Sequence, residues 1–298
     1  MILDPKLLSV PDLHAFLLGT IGPRPIAWAS TIDKEGRVNL APYSFFNVFG
    51  TKPPTLIFSP AIPRGGQRKD TLLNVLETEE VVINIVSHAV VEQMSLSSTA
   101  YPKGTNELVK AGLTQVKSEK VKPPRVGEAI ASYECKVKQV VHLGDEPGAG
   151  NLIICEILLG HVKDEVLGED GKPDPRKTDL VARMGGDWYC RANGTALFEI
   201  PKPNRNLGIG IDQIPDAIRN SSVLTGNNLG RLGNVEKLPD NEAVEAFSSM
   251  HEIVQIRERF SNNEEGFVNA LHNLAQNYLE NNQLEEAWLT LLQSPKNA

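Results

Sequence analysis

Three stretches of this 298-residue chain combine residue types that a packed core has little use for. Arg64-Gly-Gly-Gln-Arg-Lys-Asp-Thr71 is a flexible basic loop running straight into an expected helix. A helix start offers unpaired backbone N–H groups and the positive end of the dipole, so an anion fits there. Arg64, Arg68 and Lys69 add charge, and Thr71 can donate a hydroxyl. Asp70 would repel a phosphate and is read as the helix cap. Asn39-Leu-Ala-Pro-Tyr-Ser-Phe-Phe-Asn47 interleaves aromatics with Asn, Ser and Asn. Ser44, Asn47 and backbone amides could serve the polar edge of a flat heterocycle, while Phe45 or Phe46 packs its face. Gly22-Pro-Arg-Pro-Ile-Ala-Trp-Ala-Ser-Thr31 sets Arg24 between prolines and ends a strand on two hydroxyls. None of these is a catalytic constellation. Together they suit a flat, amphipathic ligand bearing a phosphate. The competing reading is a solvated loop before a capped helix, with Phe45, Phe46 and Phe49 as plain core.

The elements that must position these residues are mostly short strands. Ile26–Ile32, Arg37–Ala41, Thr55–Ser59 and Val81–Val86 are apolar runs of strand length, and a hairpin turn at Asp33–Gly36 joins the first two. Thr71–Thr78 suits a short buried helix. Ala131–Val141 and Leu152–Val162 are longer runs joined by a loop rich in glycine, 144–150. Few helices between the strands indicate an antiparallel barrel or sandwich, because a parallel sheet needs crossover helices. Beyond a breaker-rich segment at 201–240, expected as an irregular linker packing on the barrel, the chain turns helical. Helices are expected from Asn241 to about Phe260, from Glu264 to Glu280 and from Leu284 to Gln293. The last two match the spacing of a single tetratricopeptide-like hairpin.

Composition removes other chemistries. Hydrophobic residues are 41% and charged residues 22% of the chain, as in ordinary soluble globular proteins. Lys+Arg 30 against Asp+Glu 37 leaves a net charge of -7, which argues against a nucleic-acid binder. Three cysteines without a Cys-x-x-Cys give no disulfide framework, and six scattered histidines give no local metal site. Neither a P-loop nor a Rossmann glycine motif is present, so any hard chemistry belongs to a bound organic cofactor. His88, after the Val81–Val86 run, is the histidine with most claim to a pocket, although a structural role is the stronger reading. The N-terminus lacks a signal-peptide pattern and no apolar run is long enough to span a bilayer, so the expectation is a cytoplasmic protein.

The run Gly19-Thr-Ile-Gly-Pro-Arg-Pro-Ile-Ala-Trp-Ala-Ser-Thr31, with Asn39–Asn47, Lys69-Asp-Thr71, Val82–Val86 and Arg183-Met-Gly-Gly-Asp-Trp-Tyr-Cys190, resembles the flavin reductase family of FMN-binding split barrels, in its flavoredoxin-like branch. The resemblance covers roughly residues 10–200. It implies a mainly β fold, an antiparallel split β-barrel of Greek-key topology with short helices, here followed by the α-helical extension. It implies a homodimer with FMN at the subunit interface, while the charge balance and the short apolar runs lead to the expectation of no nucleic acid and no membrane. Ser30, Thr31, Asn39, Ser44, Phe45, Phe46, Asn47, Lys69, Asp70 and Thr71 would line the flavin site, and Arg24 and Ser59 are added here. The implied activity passes hydride from NADH or NADPH through the flavin to an acceptor, with no protein group acting as acid or base. Two alternatives stand beside it: an FMN-binding electron carrier without nicotinamide turnover, and an interaction protein that uses the helical tail, residues 241–298.

Overall fold

The computed structural model describes residues 1–200 and 207–294. The chain divides into two compact units, Met1–Phe198 and Glu199–Ala298. Eleven strands belong to the first: β1 (Ala27–Ile32), β2 (Val38–Tyr43), β3 (Phe46–Thr51), β4 (Pro54–Phe58), β5 (Glu80–Ile85), β6 (Gln115–Val116), β7 (Arg125–Val126), β8 (Ala131–His142), β9 (Asn151–Val162), β10 (Leu180–Arg183) and β11 (Tyr189–Ala192). Seven of them form one sheet in the order β2-β1-β5-β8-β9-β4-β3. Every neighbouring pair is antiparallel.

This order has a geometric consequence. The strands β2 and β3 are the two outer edges of the sheet, yet only Ser44 and Phe45 separate them along the chain. Two edges tied by a two-residue link cannot stand a sheet's width apart, so the sheet curls until they meet without pairing. The result is a split barrel. Two bulges in the β8–β9 ladder, at Glu134/Cys135 and Val137/Gln139, supply local bending of this kind.

The pleat sends alternate side chains to opposite faces. Along β1, Trp28 enters one core cluster with Leu40, Met94 and Leu108, while Ala27 and Ala29 enter another with Phe58, Val81, Ile83 and Ile153. The Trp28 indole is fully buried and donates to Ser97 Oγ at 2.9 Å. Five helices decorate this unit: α1 (Val10–Thr20), α2 (Asp70–Thr78), α3 (Val91–Leu96), α4 (Glu107–Lys110) and α5 (Pro175–Thr178). The buried face of α2, with Thr71, Leu72, Asn74 and Val75, joins apolar and polar residues.

In the second unit lie α6 (Asp216–Arg219), α7 (Gly226–Leu232), α8 (Asn241–Phe247), α9 (His251–Arg259), α10 (Glu264–Glu280) and α11 (Leu284–Leu291). Its core gathers Ile214, Ile218, Leu224 and Leu232 with Ala275, Leu279, Ala287, Trp288 and Leu291. The segment expected as an irregular linker therefore carries two short helices and contributes to the helical core. Its opening, 201–206, lies outside the described residues. The expected helix over 241–260 is two helices, because Ser248 and Ser249 turn their hydroxyls back onto the Glu245 and Ala246 carbonyls. Among the described residues no helix is long and apolar enough to cross a membrane.

Candidate cofactor site

Helix α2 begins without a cap. Its N-cap residue is Lys69, whose side chain makes no capping hydrogen bond, and Asp70 is the first helical residue. This corrects the expectation that Asp70 caps the helix. The Lys69 carbonyl accepts from the N–H groups of Leu72 and Leu73 at 2.9 and 3.1 Å. The N–H groups of Asp70 and Thr71 have no partner among the described residues. Two donors thus stand at the positive end of a nine-residue helix, next to an exposed lysine.

Beneath that end lies a cluster of polar side chains. Register places Thr31 of β1 opposite Asn39 of β2. Asn74 lies three positions after Thr71, and both are on the buried face of α2. Asn39 Nδ2 donates to Thr71 Oγ1 at 2.8 Å and to Thr31 Oγ1 at 3.3 Å. Asn74 Nδ2 donates to Thr31 Oγ1 at 3.0 Å. Each threonine hydroxyl has two lone pairs and one proton. Amide donors fill both lone pairs of Thr31 and one of Thr71. Among the described residues no acceptor takes either hydroxyl proton, so the cluster has donors left over.

The Tyr43 hydroxyl lies at the same place, buried and without a hydrogen-bond partner among the described residues. Burial pushes its ionisation up, the nearby carboxylates of Asp70 and Glu107 add to this, and Thr71 opposes it. Glu107 is itself buried and accepts from the Leu40 N–H at 2.9 Å. Burial raises its pKa, the Leu40 N–H opposes, and Asp70 adds to the rise.

The structure thus brings Thr31, Asn39, Asp70 and Thr71 together, with Lys69 at the mouth. Other expected residues are committed elsewhere. Ser30, buried on the opposite face of β1 from Thr31, donates to the Pro124 carbonyl. Arg24 is buried and donates to the carbonyls of Leu18, Ile21 and Met184, so its guanidinium clamps the end of α1 to the β10–β11 hairpin. Burial lowers the Arg24 pKa and Arg183 lowers it further. Ser59 Oγ accepts from the Asn151 N–H at 2.9 Å, and its own N–H holds the Phe45 carbonyl at 2.9 Å. Its role is to fix the link between the barrel edges.

That link continues the cluster from Tyr43. Ser44 is half-buried, and Phe45 is 42% exposed with its ring edge-on to His14 at 6.4 Å. Phe46 packs on the barrel core, and Asn47 is exposed with Oδ1 accepting from the Val48 N–H at 2.8 Å. His88 sits exposed in a 3-10 turn, its N–H on the Asp179 carbonyl. Sequence reasoning missed Asn74 and Tyr43. A signal for Asn74 existed, since it is a polar residue three after Thr71, between Leu72 and Val75 on the buried helix face.

An anion fits this donor set. The surplus donors, the uncapped helix start and the unpartnered Tyr43 hydroxyl all call for acceptors that the described residues do not supply.

Residues 20–177 match the model of the flavin reductase like domain, and all of them lie in the first unit. A protein from Aquifex aeolicus (strain VF5) is 40% identical over 188 residues, covering 63% of this chain and 94% of its own. Component B of nitrilotriacetate monooxygenase from Bacillus cereus superposes with a TM-score of 0.63 at 30% identity, over 67% of this chain and 98% of that one. The 2-nitrobenzoate 2-nitroreductase from Pseudomonas fluorescens gives 0.59 at 27% identity, over 68% and 97%.

Proposed function

Because the chain belongs to the flavin reductase-like domain family, we propose that it is an FMN-binding oxidoreductase that takes electrons from NADH or NADPH and passes them to an acceptor. The observation that carries this reading is the set of unspent donors at the start of α2: two backbone N–H groups and the Thr71 hydroxyl, beside Lys69. An FMN phosphate supplies the acceptors they lack, and charge-assisted bonds of this type are the stronger ones. Thr31, Asn39 and Asn74 keep Thr71 in place from beneath. Ser44 and Asn47, with the backbone between them, are the groups that would serve the polar edge of the ring system. Phe45 or Phe46 would pack its face. Bound flavin supplies the acceptance and donation of electrons, so the chain needs no nucleophile or general acid of its own. Its task is to grip, orient and shield.

The reading includes a homodimer. Helix α1 buries none of its residues, and Phe16, Leu17 and Ile21 at its end are 37, 42 and 60% exposed. On β3, Val48 and Phe49 are 57 and 64% exposed. Apolar groups in such number seek cover, and a second copy of the chain provides it. The likeness to a monooxygenase component and to a nitroreductase supports reductive chemistry. A cytoplasmic location is part of the same reading.

Purified protein mixed with FMN tests this directly. The expected result is a retained yellow chromophore that bleaches on anaerobic addition of NADH or NADPH. A protein that takes up no FMN refutes the proposal. One that holds FMN but never bleaches with either nucleotide is an electron carrier instead.

A further inference from the structure

His272 of α10 takes no part in the reading above. Its ring is buried in the helical unit, and its Nδ1 lies 2.7 Å from Ser221 Oγ. Ser221 opens the turn between α6 and α7. Its Oγ accepts from the N–H groups of Val223 and Leu224, both at 3.1 Å. That turn seats Leu224 in the core of the unit and leads into Thr225, which caps α7.

Proton counting fixes the roles in this contact. A serine hydroxyl has two lone pairs and one proton. The two amides take both lone pairs, so the proton goes to His272 Nδ1. Nδ1 is therefore the acceptor, and the neutral ring carries its own proton on Nε2. Nε2 is buried with no hydrogen-bond partner among the described residues.

A second ring proton has no place in this arrangement. It would sit on Nδ1 and face the Ser221 proton across 2.7 Å. Relief requires Ser221 to turn its proton away and surrender the amide of Val223 or Leu224. The charged groups of the surrounding helices are engaged elsewhere. Arg219 of α6 pairs with Asp216, and Arg231 of α7 donates to the Leu279 carbonyl and to Asn282. Glu286 of α11 bears on Tyr278, Glu285 is exposed, and the glutamates of α10 stand at its ends. Among the described residues no carboxylate bears on the ring, and burial alone lowers its pKa.

We propose that Ser221 and His272 form a proton-operated latch: the neutral ring holds the 221–224 turn on α10, and protonation of Nδ1 releases it and loosens the helical unit. The latch is independent of the FMN reading. A ring whose pKa is lower in the folded than in the unfolded state contributes stability that is complete above the unfolded value, about 6.5, and is lost as pH falls from there toward the folded value.

The test uses the full-length protein. Nitrogen–proton NMR of the His272 ring at about pH 7.5 should place the proton on Nε2 and leave Nδ1 bare. Urea unfolding followed on the Trp288 indole N–H, which donates to the Leu232 carbonyl in the same core, reads the helical unit. Between about pH 7.5 and about pH 5.5 its unfolding constant should rise several-fold, at most about tenfold, the effect of one proton taken up on unfolding. His272→Asn keeps an acceptor in the place of Nδ1 but takes up no proton, so its unfolding constant should stay level over the same interval. A proton on Nδ1 at the higher pH, an unchanged constant in the parent, or a rise that survives in His272→Asn overturns the proposal. Should that variant fail to fold, the parent still decides. Held in urea near its midpoint and acidified, it should lose the Trp288 signal as the ring gains its proton, and retention of the signal overturns the proposal.

Discussion

Two of the buried polar networks in the barrel unit are built on different accounts of their hydrogen bonds. One centres on Glu134 of β8, whose side chain is fully buried. Its carboxylate accepts from the N–H groups of Glu119 at 2.9 Å, Lys120 at 2.5 Å and Val121 at 3.3 Å, and from His161 Nε2 at 2.7 Å. Burial alone would raise the Glu134 pKa, but the Glu119 and Lys120 amides and His161 outweigh it and hold the carboxyl below its usual range. Donors and acceptors match, and the 119–121 loop is pinned to β8 and β9. The other network joins Thr31, Asn39, Thr71 and Asn74, and it ends with hydroxyl protons and helix N–H groups unspent. A closed network serves the fold. An open one waits for a ligand.

Substitutions should separate the two. Glu134→Ala strands three backbone donors and His161, and should destabilise the protein by roughly 3–5 kcal/mol in urea unfolding. The FMN affinity of the folded fraction should not change. A matching pH signature follows from the sign of the Glu134 shift. A carboxyl held lower in the folded than in the unfolded state contributes stability that is present above the unfolded pKa, about 4.3, and is lost as pH falls through the folded value. Melting temperatures should therefore drop on acidification below about pH 4.3, and Glu134→Gln should flatten that slope.

At the open network the effect should appear in binding rather than in stability. Lys69→Ala combined with Thr71→Ala should weaken FMN by about 1.5–3 kcal/mol, the range of a charge-assisted contact, in a fluorescence titration. The urea midpoint of the flavin-free protein should move far less. Unchanged FMN affinity would put the phosphate elsewhere and erase the contrast between the networks. The smallest effect is expected from Arg64→Ala with Arg68→Ala. Both side chains are exposed on the loop before α2, and exposed charges contribute about 1 kcal/mol or less. Raising the salt concentration should abolish even that difference.

The barrel strands were legible because their residues are apolar and β-branched over strand lengths, as in Val81–Val86. The run expected as the second strand, Arg37–Ala41, stops short of Pro42, yet the strand continues through it. Pro42 lies on β2, an edge strand, where its missing N–H interrupts no second ladder. The strand β3 was hidden because Phe46 and Asn47 read as ligand contacts, and its exposed face blurs the alternation that marks a half-buried strand. Helix α1 gave no signal for a related reason: it buries nothing within its own chain. At the candidate site, Lys69 and Thr71 were legible from a basic loop meeting a helix, whereas Asp70 read as a cap and entered the site only through the family resemblance. What sequence could not reveal is register. The facing of Thr31 and Asn39, and the approach of Asn74 and Tyr43, come from strand pairing and helix packing between distant segments. Arg24, Ser30 and Ser59 have the right chemistry but bond to protein groups that only the closed barrel brings within reach.

A crystal structure of the protein with FMN addresses the central claim most directly. The account predicts phosphate oxygens within hydrogen-bonding distance of the Thr71 hydroxyl, of the Asp70 and Thr71 N–H groups and of the Lys69 ammonium. A phosphate held elsewhere, with the start of α2 left to solvent, would contradict it.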